Sequence, residues 1–202
     1  MVWGTFQEIG RKIIHITILI VLAAYFFIQQ SLIEAGYTQT LAKQIALLFL
    51  ITLLIIFLIL EYFRLELNWK IPFFSEFIRP KEQNRMYGVI YFLSATIISL
   101  AVFDYKIALA ALLMTTFGDM VAALAGKNYG TTLIYRNKTW VGFLAELITN
   151  LIVGFILLDK IYVILGMAFV ATIVETLADE LDDNLLIPLF SGFVGQLILF
   201  SL

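Results

Sequence analysis

The stretch IALAALLMTTFGDMVAALAG, Ile107 to Gly126, decides how this chain is read. It runs apolar to Phe117, broken only by Thr115 and Thr116, and then places a lone carboxylate, Asp119, directly after Gly118. Small residues fall at Gly118, Ala122 and Gly126, and Gly130 follows. Spacing of four puts them on one face of a helix. Such a small-xxx-small face lets two membrane helices approach closely. Close packing accounts for the glycines but not for Asp119. A carboxylate inside a span costs several kcal/mol unless it is paired or faces a wet cavity, so it marks a candidate site. A close neighbouring helix and a carboxylate opening on a polar cavity are both expected here.

The remainder of the chain fits the same picture. Of 202 residues 62% are hydrophobic, and mean hydropathy is +0.98. Soluble domains sit nearer half apolar, so a polytopic all-α membrane protein is expected, with residues 1–202 as one transmembrane domain. A net charge of −2 carries no nucleic-acid footprint, and the absence of Cys removes thiol chemistry. Arg11-Lys12 precede an apolar run without a small-residue cleavage site, which reads as a retained span rather than a signal peptide.

About seven spans can be marked, near 13–28, 41–60, 87–103, 107–125, 142–158, 162–178 and 185–202. Several are short against the roughly 20 residues of a perpendicular span. With the N-terminus inside, inner segments hold ten of the thirteen Lys and Arg residues, and outer loops hold only Lys43, Lys106 and Lys160. The positive-inside rule then puts the N-terminus in the cytoplasm.

That topology gathers the chemistry on the cytoplasmic face. The first inner segment, Glu61 to Arg85, interleaves charges with Leu65, Leu67, Trp69, Phe73 and Phe77, and reads as an interfacial stretch along the headgroups. It could also shape the approach of a lipid substrate. The second, Gly126 to Thr139, combines Gly126 and Gly130 with Lys127, Arg136 and Lys138. Free backbone amides beside cations suit a polyphosphate, although P-loop spacing is absent. From this segment alone a flexible positive-inside loop is the simpler reading.

The third inner segment is acidic where the orientation rule favours Lys or Arg. Glu175, Asp179, Glu180, Asp182 and Asp183 crowd ahead of Asn184 and Pro188. Glu175, Asp179 and Asp182/Asp183 recur at i, i+4 and i+7/i+8, one helical face. Like charges this close call for a counter-ion or a raised pKa, and oxygen ligands without Cys suit Mg²⁺ bridging carboxylates to phosphates. A merely solvated acidic loop is the alternative. In the first span Glu8, Arg11, Lys12 and His15 form one stripe. Alone His15 reads as a satisfied interhelical histidine; beside Arg11 and Lys12 it joins a phosphate-binding stripe.

Taken in order, these pieces resemble the CTP-dependent polyprenol kinase family of dolichol kinase, phytol kinase and CTP-dependent diacylglycerol kinase. They are Glu8-x-x-Arg11-Lys12-x-x-His15, Glu61-x-x-Arg64, Arg85-x-x-Gly88-x-x-Tyr91-Phe92, Gly118-Asp119-x-x-Ala122-x-x-x-Gly126-x-x-x-Gly130, Lys138-Thr139-x-x-Gly142, and Glu175 leading to Asp182-Asp183-Asn184-x-x-x-Pro188. The family commonly has Glu and Ser around the glycine after Lys-Thr; here Val141 and Phe143 stand there, and no acid is carried over. The more distant phosphatidate cytidylyltransferases share a Gly-Asp motif, but their Lys-Asp and His-Gly-Gly-x-Asp-Arg signatures are missing.

The resemblance implies transfer of the CTP γ-phosphoryl group to a membrane lipid alcohol at the cytoplasmic face of the cell membrane. Asp119 and Asp183 would hold Mg²⁺, with Asp182 as third ligand or base. Lys138, Arg11, Lys12 and His15 would hold phosphates, beside Gly118, Gly126, Gly130 and Thr139. Glu175 would orient a cation or the acceptor hydroxyl, and Asn184 would contact nucleotide or metal. The short spans and the small-residue face permit a homodimer. A cytidylyltransferase would use the same groups but release pyrophosphate. A small transporter, with Asp119 as a midspan ion site, would bury paired acids deep in several helices, and no inverted repeat of broken helices is visible.

Overall fold

The computed structural model describes residues 5–67, 85–178 and 181–202, with side chains from residue 19 onward. The described residues form seven helices: α1 (Thr5–Glu34), α2 (Gln39–Leu67), α3 (Gly88–Val102), α4 (Tyr105–Tyr129), α5 (Trp140–Leu157), α6 (Ile161–Leu177) and α7 (Asp183–Ser201). A hairpin of β1 (Leu133–Tyr135) and β2 (Lys138–Thr139) separates α4 from α5. The protein is all-α in character, and α2, α4, α5 and α7 are long and apolar enough to cross a membrane. It divides into two compact units, Met1–Ile97 and Ile98–Leu202.

In the first unit α1 turns into α2 at Gly36, whose φ of +92° is open to glycine without strain. The amides of Gly36 and Tyr37 bond back to Ile33 and Leu32, closing the helix end. Leu22 and Tyr25 of α1 are buried, as are Ala42, Ala46 and Leu50 of α2, and the two helices pack together. Helix α2 continues to Leu67, so Glu61 and Arg64 are not interfacial loop residues. They form a buried ion pair, 3% and 8% exposed, with Arg64 Nε donating to Glu61 Oε2 at 2.8 Å and Arg64 NH2 to Oε1 at 2.6 Å. Arg64 also donates to the Arg85 carbonyl (2.7 Å) and lies over the Tyr87 ring, while the Tyr87 amide donates to Glu61 (2.9 Å). The bonds to Arg85 and Tyr87 tie the end of α2 to the residues before α3. The expected interfacial stretch from Trp69 through Phe77 lies outside the described residues.

In the second unit α4 is the central helix. It contacts α5, α6 and α7, and it is the most enclosed of the four long apolar helices. A helix apolar on every side belongs inside a bundle, and Ala108, Ala110, Ala111, Leu112 and Met114 are all buried. The expected small-residue face is the α4–α5 contact. A Cβ on Gly142 would stand 3.0 Å from the Ala122 carbonyl and 3.6 Å from Gly126 Cα. One on Gly118 would meet Asn150 Oδ1 at 2.6 Å. At the end where α4 begins, Gln196 of α7 grips Asp104, accepting from its amide (2.7 Å) and donating to its carboxylate (2.9 Å). The exposed Lys106–Asp159 pair closes the same end at 2.7 Å, and the Lys106 ammonium lowers the Asp159 carboxyl.

Two packing predictions follow from these contacts. Gly142→Val forces α5 off the α4 backbone and should destabilise the protein by about 1–3 kcal/mol, read from the unfolding midpoint in detergent. Glu61→Ala strands a buried guanidinium and should cost about 3–5 kcal/mol, whereas the paired apolar replacement Glu61→Leu with Arg64→Met should recover most of that loss. If the double variant is no more stable than Glu61→Ala, the pair is not the source of the cost.

Candidate active site at the α4–α7 end

Helix α4 does not stop at Ala125. Gly126, Lys127, Asn128 and Tyr129 complete it, so Asp119 lies ten residues, about 15 Å, from its end. The expected glycine loop with free amides is therefore corrected. Gly126 is helical, and its carbonyl accepts the Gly130 amide at 3.0 Å. Both glycines leave room for Thr139, and Gly126 also for the close approach of Gly142. The connection is not a flexible loop but the β1–β2 hairpin, which turns at Arg136 with φ +47°.

The hairpin decides where its cations go. Lys127 and Arg136 are exposed, and Arg136 lies 5.3 Å from the centre of the Tyr135 ring. Lys138 instead points inward and forms an ion pair with Glu175, which is 3% exposed near the end of α6. Thr139 caps α5, its hydroxyl accepting the Gly142 amide at 3.1 Å.

Asp119 of α4 and Asp183 of α7 also lie close enough to act on the charge of Lys138. Burial alone would lower the Lys138 pKa. Glu175, by charge and by hydrogen bond, and then Asp119 and Asp183 outweigh burial and hold it above its ordinary value. Four elements thus converge on one ammonium.

The acidic stripe is also corrected. Helix α6 ends at Leu177 and α7 begins at Asp183, so Glu175 and Asp182/Asp183 come from two helices rather than one face. Asp179 and Glu180 lie outside the described residues. Asp182 is the N-cap of α7 and accepts from the Asn184 amide (3.1 Å) and side chain (2.6 Å). Asn184 is buried and occupied by that cap, and Pro188 sits within α7, inside the apolar run marked at 185–202. Arg11, Lys12 and His15 belong to α1, but their side chains fall outside the described residues.

Sequence reasoning missed Glu146 and Asn150. They follow Gly142 at i+4 and i+8 on the α5 face toward α4, and are 1% and 0% exposed. Glu146 is within hydrogen-bonding reach of Glu175 and within Coulomb range of Asp119 and Lys138. The Asn150 amide donates to Thr172 of α6 at 3.1 Å. Two polar residues on the glycine face of an apolar helix were the available signal.

Among the described residues, Asp119, Glu175 and Asp183 around Lys138 offer oxygen donors alone, which suit a hard divalent cation. No three carboxylates among the described residues gather tightly enough to enclose an ion.

The chain is 32% identical over 158 residues to CTP-dependent diacylglycerol kinase 1 of Saccharomyces cerevisiae, an overlap covering 73% of this chain and 49% of the yeast protein. It belongs to the CTP-dependent polyprenol and lipid kinase family. It is also 32% identical over 124 residues to phytol kinase 1, chloroplastic, of Arabidopsis thaliana, covering 50% of this chain and 40% of that protein. A probable phytol kinase of Triticum aestivum is 28% identical over 138 residues, covering 58% and 46%. The chain spans about half the length of the curated relatives it matches. No family model and no solved structure matches it. One turn after Gly142, α5 brings a buried acid, Glu146, to the cluster.

The raised Lys138 carries a pH signature. A group whose pKa rises on folding adds stability that is whole below its unfolded value, about 10.4, and is lost as pH climbs through the folded value. The stability difference between the wild type and Lys138→Gln should therefore be flat from neutral pH to about 10 and shrink above it. Unfolding midpoints across that range check this, and a difference that grows with pH contradicts the ion-pair assignment.

Proposed function

We propose that the chain is the membrane catalytic unit of a lipid-alcohol kinase that moves the γ-phosphoryl group of CTP to the hydroxyl of a polyprenol-type alcohol or a diacylglycerol. The observation that carries this reading is the inward turn of Lys138 onto Glu175, with Asp119 and Asp183 around them. The names of the relatives point the same way. Phosphoryl transfer asks little covalent chemistry of a protein; it needs charge neutralised, an in-line hydroxyl and positioned phosphates.

Lys138 supplies the fixed positive charge for the phosphates, and Glu175 orients it. Asp119 and Asp183 are the residues to hold Mg²⁺, with Asp182 near them as third ligand or base. When bound, the metal neutralises charge on the phosphates during transfer. Arg11, Lys12 and His15 on α1 are proposed to bind phosphate, and with the N-terminus inside, the site faces the cytoplasm. Thr139, Gly126 and Gly130 serve indirectly, by setting the hairpin that aims Lys138.

Asp119→Asn should lower lipid phosphorylation by about a hundredfold or more while the protein remains folded, since a lost charge-stabilising contact is worth several kcal/mol. The assay crosses CTP and ATP with phytol, a dolichol and dioleoylglycerol. Near-normal activity of Asp119→Asn removes the metal assignment. With γ-labelled CTP, label must appear in lipid; label in pyrophosphate makes the protein a cytidylyltransferase instead.

A further inference from the structure

Two buried acceptor atoms on α5 are left over by this account. Glu146 Oε2 and Asn150 Oδ1 have no hydrogen-bond partner among the described residues, although both side chains are essentially fully buried. The orientation of the Asn150 amide is set by its neighbour. The Thr172 hydroxyl donates to the Ala168 carbonyl at 2.9 Å, so its oxygen can only accept, and Asn150 Nδ2 donates to it at 3.1 Å. Oδ1 is then the atom turned toward Gly118, where the missing side chain leaves it room.

Unsatisfied buried acceptors are costly, and two on successive turns beside a reactive cluster need a ligand that donates. The Lys138 ammonium is committed to Glu175. Nucleotide phosphates are acceptor-only anions that these oxygens would repel. Depth separates the two chemistries as well: Glu146 and Asn150 lie about 6 and 12 Å beyond Gly142 along α5, farther into the apolar span than the hairpin. A lipid hydroxyl brings an O–H donor to these acceptors and carries no negative charge.

We infer that Glu146 and Asn150 form the subsite that holds the hydroxyl of the acceptor alcohol. The inference rests on the lipid-kinase reading and adds to it where the acceptor sits. Glu175, occupied by Lys138, is left to the phosphate side.

The test is Glu146→Leu in lipid nanodiscs, with phytol or dioleoylglycerol as acceptor, whichever the wild type phosphorylates faster. The KM for the alcohol should rise about tenfold, the worth of one well-placed hydrogen bond. CTP affinity should stay within about twofold, and the melting temperature should not fall, because an apolar group replaces an unsatisfied carboxyl. A merely structural Glu146 would show the reverse, lost stability with an unchanged alcohol KM, and that result overturns the subsite. So does a loss of CTP affinity in step with the alcohol. If Glu146→Leu does not fold, Glu146→Gln carries the test: a smaller rise in alcohol KM at constant CTP affinity supports the subsite, and no rise overturns it. A wild type that phosphorylates neither alcohol brings down the kinase reading and the subsite with it. An active wild type with an indifferent Glu146 removes the subsite alone.

Discussion

The approach of α4 to α5 is the contact on which the polar end of the second unit depends. Lipid tails are as apolar as leucine side chains, so membrane helices gain little from hydrophobic contact and associate through packing and polar bonds. Gly118, Ala122 and Gly126 on one helix and Gly142 on the other remove the side chains that would hold the backbones apart. The approach seats Thr139 at the start of α5, pins the hairpin, and brings Glu146 and Asn150 over the turn of α4 that carries Asp119. Filling any of these places would move the whole acidic cluster relative to Lys138.

The cluster is unusual in its charge balance. Among the described residues, the Lys138 ammonium lies within charge range of carboxyl groups of α4, α5, α6 and α7. Carboxylates among apolar helices are expensive, and structural need does not account for them, since apolar residues would pack the same helices at lower cost. Under the proposed kinase reading, a metal–nucleotide and an alcohol would bring cationic and donor groups to the cluster. The Glu61–Arg64 pair of the first unit makes the contrast plain: its charges are matched within a closed set of hydrogen bonds, which is how a structural ion pair looks.

Much of the fold was legible because its signals are local. All seven apolar runs correspond to helices, and the i, i+4 repeat of Gly118, Ala122 and Gly126 is the packing face it was read as. The misreadings occurred where an element ended. Gly126 through Tyr129 look like loop residues, since glycine and asparagine are weak helix formers, yet Gly126 is held in α4 by packing on Thr139 and Gly142. Arg136 and Asn137 make a tight hairpin turn that no Gly announces. The apparent stripe from Glu175 to Asp183 assumed an unbroken helix, and the chain instead ends α6 at Leu177 and uses Asp182 to cap α7.

The candidate site divides the same way. Asp119, Lys138, Glu175 and Asp183 could be singled out because a charge in an apolar context is conspicuous in one dimension. Composition and periodicity determined by themselves that the chain is a bundle of apolar helices, which helix face is small, and which residues are too costly to be incidental. Only the tertiary structure decided that Lys138 points inward while Lys127 and Arg136 do not, that Glu175 is its partner, and that Glu146 and Asn150 belong to the cluster. The reason is physical. Periodicity reports which side of one helix a residue occupies, whereas a site is made where four elements meet, and their meeting is set by how closely the backbones can approach.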